Sequence, residues 1–409
     1  MTEIRVLKDK NIVLGVTGGI AAYKVADLAS RLIKAGAIVD VIMTKAATEF
    51  VGPLTFQALT HRPIVTEMFS LLQETEIGHV SLGKRADLLI VAPATANTLA
   101  KMAHGLADNM LTSTALACRA PILLAPAMET GMWQNQVTQS NITLLRERGM
   151  HIAGPGVGRL ASGASGAGRM VEPVEIVETA RWLLGQSGPL AGRSIIVTAG
   201  CTQEPIDPVR FVGNHSSGKM GYALAIAARD RGAEVRLVHG PTALPVPHGV
   251  QDVPVGTAIQ MRDAVLQEIA SADALLMAAA VADYRPVRAA EQKIKKGSGN
   301  LTLELARNPD ILRQVADQRK TSDHPKIVIG FAAETKDLLD NARDKLMRKR
   351  LDMIVANDVS AADSGFGVET NRVTLLDATG GITPLPLLSK ETVAEMILDR
   401  LVTLLQQAD

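Results

Sequence analysis

The chain has 409 residues, too many for one ordinary core and enough for two domains of roughly 200 residues each. Its 43 Lys+Arg against 42 Asp+Glu leave a formal charge of +1, and aromatics make up 3%, which excludes a global field for nucleic acid or anionic membrane and a base-stacking platform. Cys118 and Cys201 make neither a disulfide framework nor a zinc cluster, MTEIRVLKDKN has no apolar export signal, and no apolar run approaches the roughly 20 residues of a membrane span, so a cytoplasmic protein is expected.

In chain order, short β-branched runs alternate with Ala/Leu/Arg segments of helical spacing, the pattern of βα units around a parallel sheet. Strands are predicted at Asn11–Gly15, Ile38–Met43, Asp87–Ala92 and Ile122–Ala125. The series restarts near residue 190 with Ser194–Thr198, Glu234–Val238, Ala274–Ala279, Lys326–Gly330 and Asp352–Ala356. NIVLGVTGG is similar in kind to SIIVTAG, and AGAIVDVIM to RGAEVRLVH, so each half reads as its own doubly wound α/β unit. Between them GQSGPLAGR, Gly185–Arg193, has linker composition and places the boundary at residue 188, giving domains 1–188 and 189–409.

After the first strand, Gly15-Val-Thr-Gly-Gly-Ile-Ala-Ala-Tyr-Lys24 is a glycine turn feeding a helix, where free backbone N–H groups can hold a phosphate. It is not the dinucleotide fingerprint, because Gly18 and Gly19 are adjacent and no acidic residue closes the second strand. The second strand ends at Thr44 and the third runs into Thr95, Asn97 and Thr98, which clusters hydroxyls and an amide on the edge where open α/β sheets bind ligands. One mononucleotide phosphate and a planar ring suit that edge; the same residues also make ordinary turns and helix caps.

GVTGGIAAYK, IGHVSL, APATANTLAKMAHGLADNMLTSTALA and PAMETGMW, in this order, resemble the flavin-dependent cysteine decarboxylases over most of the first half. The resemblance implies a flavodoxin-like or Rossmann-like domain that binds FMN and removes the cysteine carboxylate of 4′-phosphopantothenoylcysteine, giving 4′-phosphopantetheine. It implies Gly18, Gly19, Thr44, Thr95, Asn97 and Thr98 at the flavin and His79 as the catalytic histidine. Two positions depart from the family. Glu129 stands where an asparagine commonly holds the substrate carboxylate, and its charge is expected to repel that group. Ser162, in LASGASGAGRM, stands at the catalytic position of a lid cysteine that returns a proton. A hydroxyl is a far weaker acid than a thiol, so another donor, water, or release of an oxidised product is implied. Gly163, Gly166 and Gly168 suggest a mobile lid, with Arg169 available to a phosphate.

In the second half, Gly213–Lys219 satisfies most of a P-loop, but Met220 replaces the hydroxyl that would ligate magnesium and the segment does not directly follow a strand. The chemistry-bearing segments that follow are AAAVADYRP from Ala278, Lys293-Ile-Lys-Lys296, Asn308-Pro-Asp-Ile311, Gly330–Thr335 and Ala356–Val359, with Lys345 and Lys349 four apart. By composition alone the lysine runs are solvated faces. Together with Thr198-AGCTQEPIDPVRFVGNHSSGKMGYALA they closely resemble the phosphopantothenate–cysteine ligases from about residue 190 onward. That resemblance implies a Rossmann-like domain in which the phosphopantothenate carboxylate attacks CTP, giving an acyl-cytidylate and pyrophosphate, and the cysteine amine then attacks. Lys293 would support the first step and Asn214 the second. Ala278, Ala279, Ala280, Asp283, Lys293, Pro309, Asp310, Ile311, Leu312, Phe331, Lys345 and Lys349 would contact CTP, with Mg2+ on the triphosphate through ligands that stay unassigned.

The order decarboxylase then ligase resembles the bifunctional enzymes of coenzyme A synthesis, whose partners are small molecules and whose trimeric flavin and dimeric ligase contacts imply a homo-oligomer, a dodecamer. Two alternatives stay open at this point: a ligase with a non-catalytic flavin-binding or assembly module, and a dehydrogenase on two Rossmann-like halves, which the absent fingerprint argues against.

Overall fold

The computed structural model describes residues 4–68, 78–296, 300–334, 338–358 and 367–409, without the side chains of 333, 334 and 358. Ile77, Thr335 and Val359, quoted in the motifs above, lie outside the described residues. The chain divides into two compact units, Met1–Gly185 and Gln186–Asp409. The division coincides with the end of helix Pro173–Gly185, three residues before the expected boundary.

Unit 1 holds β1 (Asn11–Val16), β2 (Ile38–Met43), β3 (Leu88–Ala94), β4 (Ile122–Pro126) and β5 (His151–Ile152) in one parallel sheet ordered β2-β1-β3-β4-β5. β3 and β4 are buried at every position, as near-continuous apolar strands covered on both faces should be. Helix Ala22–Lys34 lays Ala22, Val25, Leu28, Ala29 and Leu32 on one face; Leu82, Leu99, Leu111 and Ile142 cover the other. An antiparallel hairpin, β6 (Gly156–Arg159) and β7 (Ser165–Arg169), stands outside the sheet.

Unit 2 is built on β8 (Ser194–Ala199). A small hairpin of β9 (Gln203–Pro205) and β10 (Phe211–Gly213) follows, then β11 (Glu234–His239), β12 (Gln251–Pro254) and β13 (Ala274–Met277). A second small pair, β14 (Tyr284–Pro286) and β15 (Leu305–Arg307), precedes β16 (Ile327–Glu334) and β17 (Met353–Asp358). Beyond these come β18 (Thr370–Asn371), β19 (Val373–Asp377), β20 (Ile382–Pro384) and β21 (Leu388–Ser389). The main sheet runs β12-β11-β8-β13-β16-β17-β19-β20, parallel except for its last two strands. Its parallel part has the doubly wound order that places a ligand crevice beside the first strand. Helix Lys219–Arg229 packs so closely that a Cβ on Gly221 would stand 2.7 Å from the Thr198 carbonyl oxygen. Helix Lys390–Ala408 buries Val393, Ile397, Leu398, Leu401 and Leu405 on one core. Among the described residues no helix is long and apolar enough to cross a membrane.

All nine predicted parallel strands form, with ends shifted by a few residues. The hairpins and the antiparallel edge were not expected.

Candidate functional sites

In unit 1 the carboxyl ends of β2, β1 and β3 lie side by side, which brings Thr44, the Gly18-Gly19 turn and Thr95 to one edge. Thr17 joins two of these ends: its Oγ1 donates to the Pro93 carbonyl at 2.5 Å and accepts from the Thr95 amide at 3.2 Å. A Cβ on Gly18 would stand 2.8 Å from the carbonyl carbon and oxygen of Ala46, so the turn lies directly against the start of helix Lys45–Thr48. Thr95 caps helix Ala96–His104, accepting from the Thr98 amide at 3.4 Å, and the two hydroxyls meet at 3.1 Å. Asn97 stands in the first turn of that helix. The Thr44 hydroxyl differs: it is buried, makes no cap hydrogen bond to its helix and has no hydrogen-bond partner among the described residues. Buried polar atoms are almost always paired, so this orphan, beside a turn with no space for a side chain, suits a ligand that brings its own polar atoms.

His79 is half-buried in the first turn of helix Gly78–Arg85. Ser162 is exposed at the tip of the β6–β7 hairpin, where Leu160 N–H donates to Ala164 at 2.8 Å and Gly163 takes a φ of +88°. No hydrogen bond joins either residue to the threonine cluster among the described residues. The expected loop is thus a hairpin with a tight turn, and its base is fixed: the Met128 amide donates to Gly168 at 2.9 Å. Arg169 pairs with Glu172 at 2.5 Å, and Glu172 also takes Lys24 of helix Ala22–Lys34 at 2.8 Å. Lys24, aided by Arg169, holds the Glu172 carboxyl below its ordinary range. Glu129 accepts from the Gly131 amide at 2.5 Å as the cap of helix Thr130–Gln134. Its charge is directed to backbone N–H, a role its position in the sequence did not reveal.

In unit 2 the segment after β13 lies along the loop after β8. Ala280 N–H donates to Gly200 at 2.8 Å, Ala279 N–H to the Thr198 hydroxyl at 3.0 Å, and Ala282 N–H to the Thr202 hydroxyl at 3.0 Å. Ala278, Ala279 and Ala280 are thereby held at the crevice beside β8. Asn214 follows β10 and donates to the Val281 carbonyl at 3.2 Å. Asn308 donates to the Ala282 carbonyl and its amide to Asp283, at 2.8 Å each, which brings Pro309 and Asp310 to the same edge.

Asp310 caps helix Ile311–Gln318, whose first residues Ile311 and Leu312 are buried, and pairs with Lys349 at 2.8 Å. Burial pushes the Asp310 carboxyl up, but the Lys349 ammonium outweighs it and leaves the group below its ordinary range. Lys345 Nζ donates to the Phe331 carbonyl at 2.7 Å. Lys349 lies one residue past helix Leu338–Arg348, its amide still bonded to Lys345. The two lysines therefore reach different elements, Lys345 the backbone of β16 and Lys349 the cap of helix Ile311–Gln318.

Lys293 is exposed, and the peptide after it is held on both sides. Ile294 N–H donates to Asp207 Oδ2 at 3.1 Å while Arg210 Nη2 donates to the Ile294 carbonyl at 2.9 Å. Asp207 is buried and also accepts from the amides of Val209 and Arg210, and the Arg210 guanidinium holds its carboxyl far below the ordinary range. Sequence reasoning missed this clasp, though Asp207-Pro-Val-Arg210 has the Asp-Pro spacing of a turn. Lys219 of the near-P-loop is engaged by Glu369 at 2.5 Å and by the Gly367 carbonyl at 3.1 Å.

Fold and sites define a two-unit α/β protein with an open parallel sheet and a strand-end crevice in each unit. Residues 2–184 match the Flavoprotein family and residues 190–405 the C-terminal domain of DNA/pantothenate metabolism flavoproteins. The coenzyme A biosynthesis bifunctional protein CoaBC of Vibrio vulnificus is 46% identical over 404 residues, 98% of this chain and 100% of that protein. Its counterpart in Bacillus subtilis is also 46% identical over 404 residues, 98% of each chain. A crystal structure of the C-terminal domain of a CoaBC protein covers 54% of this chain and 100% of that one at 42% identity, with a TM-score of 0.46. The chain belongs to the bifunctional CoaBC family of coenzyme A biosynthesis. It is an enzyme with phosphopantothenoylcysteine decarboxylase and phosphopantothenate–cysteine ligase activities, and neither alternative reading is favoured.

Proposed function

We propose that residues 1–188 bind FMN and carry the decarboxylase activity, and that residues 189–409 carry the CTP-dependent ligase activity in a cytoplasmic homo-oligomer. The buried, unpaired Thr44 hydroxyl beside the Gly18 turn carries the flavin assignment. Gly18 and Gly19 admit a phosphate to backbone N–H groups, while Thr44, Thr95, Asn97 and Thr98 supply polar contacts along the edge. FMN supplies the redox chemistry that makes the carboxylate of the cysteine moiety easy to lose. His79 acts on the substrate, and Ser162 stands at the hairpin tip. The Glu129 carboxylate is held on the Gly131 amide at the cap of its own helix.

In the ligase unit the phosphopantothenate carboxylate attacks the α-phosphorus of CTP and pyrophosphate leaves. The cysteine amine then attacks the acyl carbon of the acyl-cytidylate and CMP leaves. Lys293, Lys345 and Lys349 neutralise charge on the phosphates, Asn214 holds the acyl intermediate, and the peptides of Ala278–Ala280 with Phe331 receive the nucleotide. Asp283 and Asp310 hold the surrounding loops. Mg2+ accompanies the triphosphate; no cluster of three or more candidate ligand side chains exists among the described residues, which suits an ion held mainly by phosphate and water.

Two assays test this. Purified protein should be yellow and release carbon dioxide from 4′-phosphopantothenoylcysteine; flavin-loaded protein that releases none refutes the decarboxylase assignment. With CTP and phosphopantothenate, Lys293→Gln should abolish pyrophosphate release, whereas Asn214→Asp should permit it without forming the cysteine adduct.

A further inference from the structure

We propose that Asp40 is a positioning residue of the decarboxylase half, fixing the helix that carries His79. This rests on His79 being the catalytic histidine. Asp40 lies in β2 opposite Val13 of β1 and is 7% exposed. Side chains alternate along a strand, so Asp40 shares the face of Ile42, which packs in the layer containing Leu82, while Val39, Val41 and Met43 face the other layer. A carboxylate buried there requires partners. It has two: Oδ1 accepts from Arg62 Nε at 2.7 Å and Oδ2 from Arg85 Nη2 at 2.8 Å.

Arg62 belongs to a segment that runs beside β2, where Met43 N–H donates to Val65 at 2.9 Å and Val65 N–H to Val41 at 3.1 Å. Arg85 is the last residue of helix Gly78–Arg85. One carboxylate therefore ties the sheet to the outer segment and to the end of the helix. The same helix is pressed on helix Met110–Ala117 at Gly83, where a Cβ would stand 3.1–3.2 Å from backbone of Ala117, Cys118 and Thr114. His79 lies six residues before Arg85, about 9 Å along the axis at about 1.5 Å per residue. Orientation fixed at the last turn is transmitted along this rigid rod to the ring. Without Asp40, two like-charged guanidiniums adjoin and the helix pivots about Gly83.

The test is steady-state decarboxylation by full-length, flavin-loaded Asp40→Asn, Asp40→Glu and Arg85→Gln, with the thermal release of bound flavin in the same samples as the folding control for unit 1. Asp40→Asn should lower kcat about ten- to a hundredfold, since a misplacement of about 1 Å can cost up to about a hundredfold. Its KM and flavin affinity should stay within twofold, and Asp40→Glu should recover most of kcat. Arg85→Gln, which keeps the Arg62 pair, should reproduce the kcat loss and carries the test if Asp40→Asn does not fold. His79→Asn is measured alongside. Undiminished turnover there overturns the reading of His79 and the proposal with it. Lost turnover in His79→Asn with normal kcat in the folded Asp40 and Arg85 variants overturns the positioning role alone, as does a joint collapse of kcat, KM and flavin affinity that Asp40→Glu does not relieve.

Discussion

Replacing Gly18 by alanine measures how closely the glycine turn after β1 is built. The added methyl would stand 2.8 Å from the carbonyl carbon and oxygen of Ala46 and closer still to its Cβ. Non-bonded carbons prefer about 3.5–4.0 Å, so the turn or the start of helix Lys45–Thr48 must retreat by about 1 Å. The obstacle is the Cβ and backbone of Ala46, and relief displaces either the turn amides or Thr44 just before the helix. Overpacking of this kind costs about 1–3 kcal/mol, which expressed in flavin binding is a dissociation constant raised about five- to 150-fold. Gly19→Ala is the control, because its methyl would meet Thr95 Cγ2 at 3.6 Å, an ordinary contact. Titration of apoprotein with FMN, followed by flavin fluorescence, should show weaker binding in Gly18→Ala than in Gly19→Ala. Pyrophosphate release by the ligase unit should be unchanged in both. Equal affinity in the two variants would refute the steric reasoning.

The ligase unit gives two further tests. Lys349→Met should raise the KM for CTP about tenfold, the order of one charge-assisted contact, while the partly exposed ion pair with Asp310 adds little to stability; an unchanged KM would remove Lys349 from the nucleotide site. The depressed Asp207 carboxyl stabilises the folded state fully above its unfolded pKa of about 3.9, and that contribution declines as pH falls below it toward the folded value. Wild type should therefore exceed Asp207→Asn in urea midpoint at pH 7 by a margin that narrows at pH about 3; a constant margin would show that the ionised carboxylate is not what matters.

Nine of the eleven parallel strands were legible as short apolar runs such as LLIVAPA over Leu88–Ala94, whereas His151–Ile152, two residues long, and the mostly exposed Gln251–Pro254 carry no such run. The hairpins were not: Gln203–Pro205 and Phe211–Gly213 are three residues each, too short for any period to show. The flavin-edge threonines could be found as strand-end hydroxyls, yet only coordinates separate Thr95, which caps a helix, from Thr44, whose hydroxyl makes no cap hydrogen bond. Asp40 reads in sequence as one polar residue inside IVDVIM, and its partners are 22 and 45 residues away. Glu129 shows the reverse case: its charge was visible, but the amide that orients it was not.

The two sheets open alike and then diverge. In unit 1 the third strand crosses to the far side of the first, so β1 and β3 flank the crevice; in unit 2 the third strand β12 extends the near edge, and only the fourth, β13, crosses over. The similarity of NIVLGVTGG to SIIVTAG therefore ends where topology begins to matter. A chimera exchanging the opening strand–helix–strand segments respects both connectivities, whereas a graft continuing into the third strand would put the wrong chain wall against the ligand.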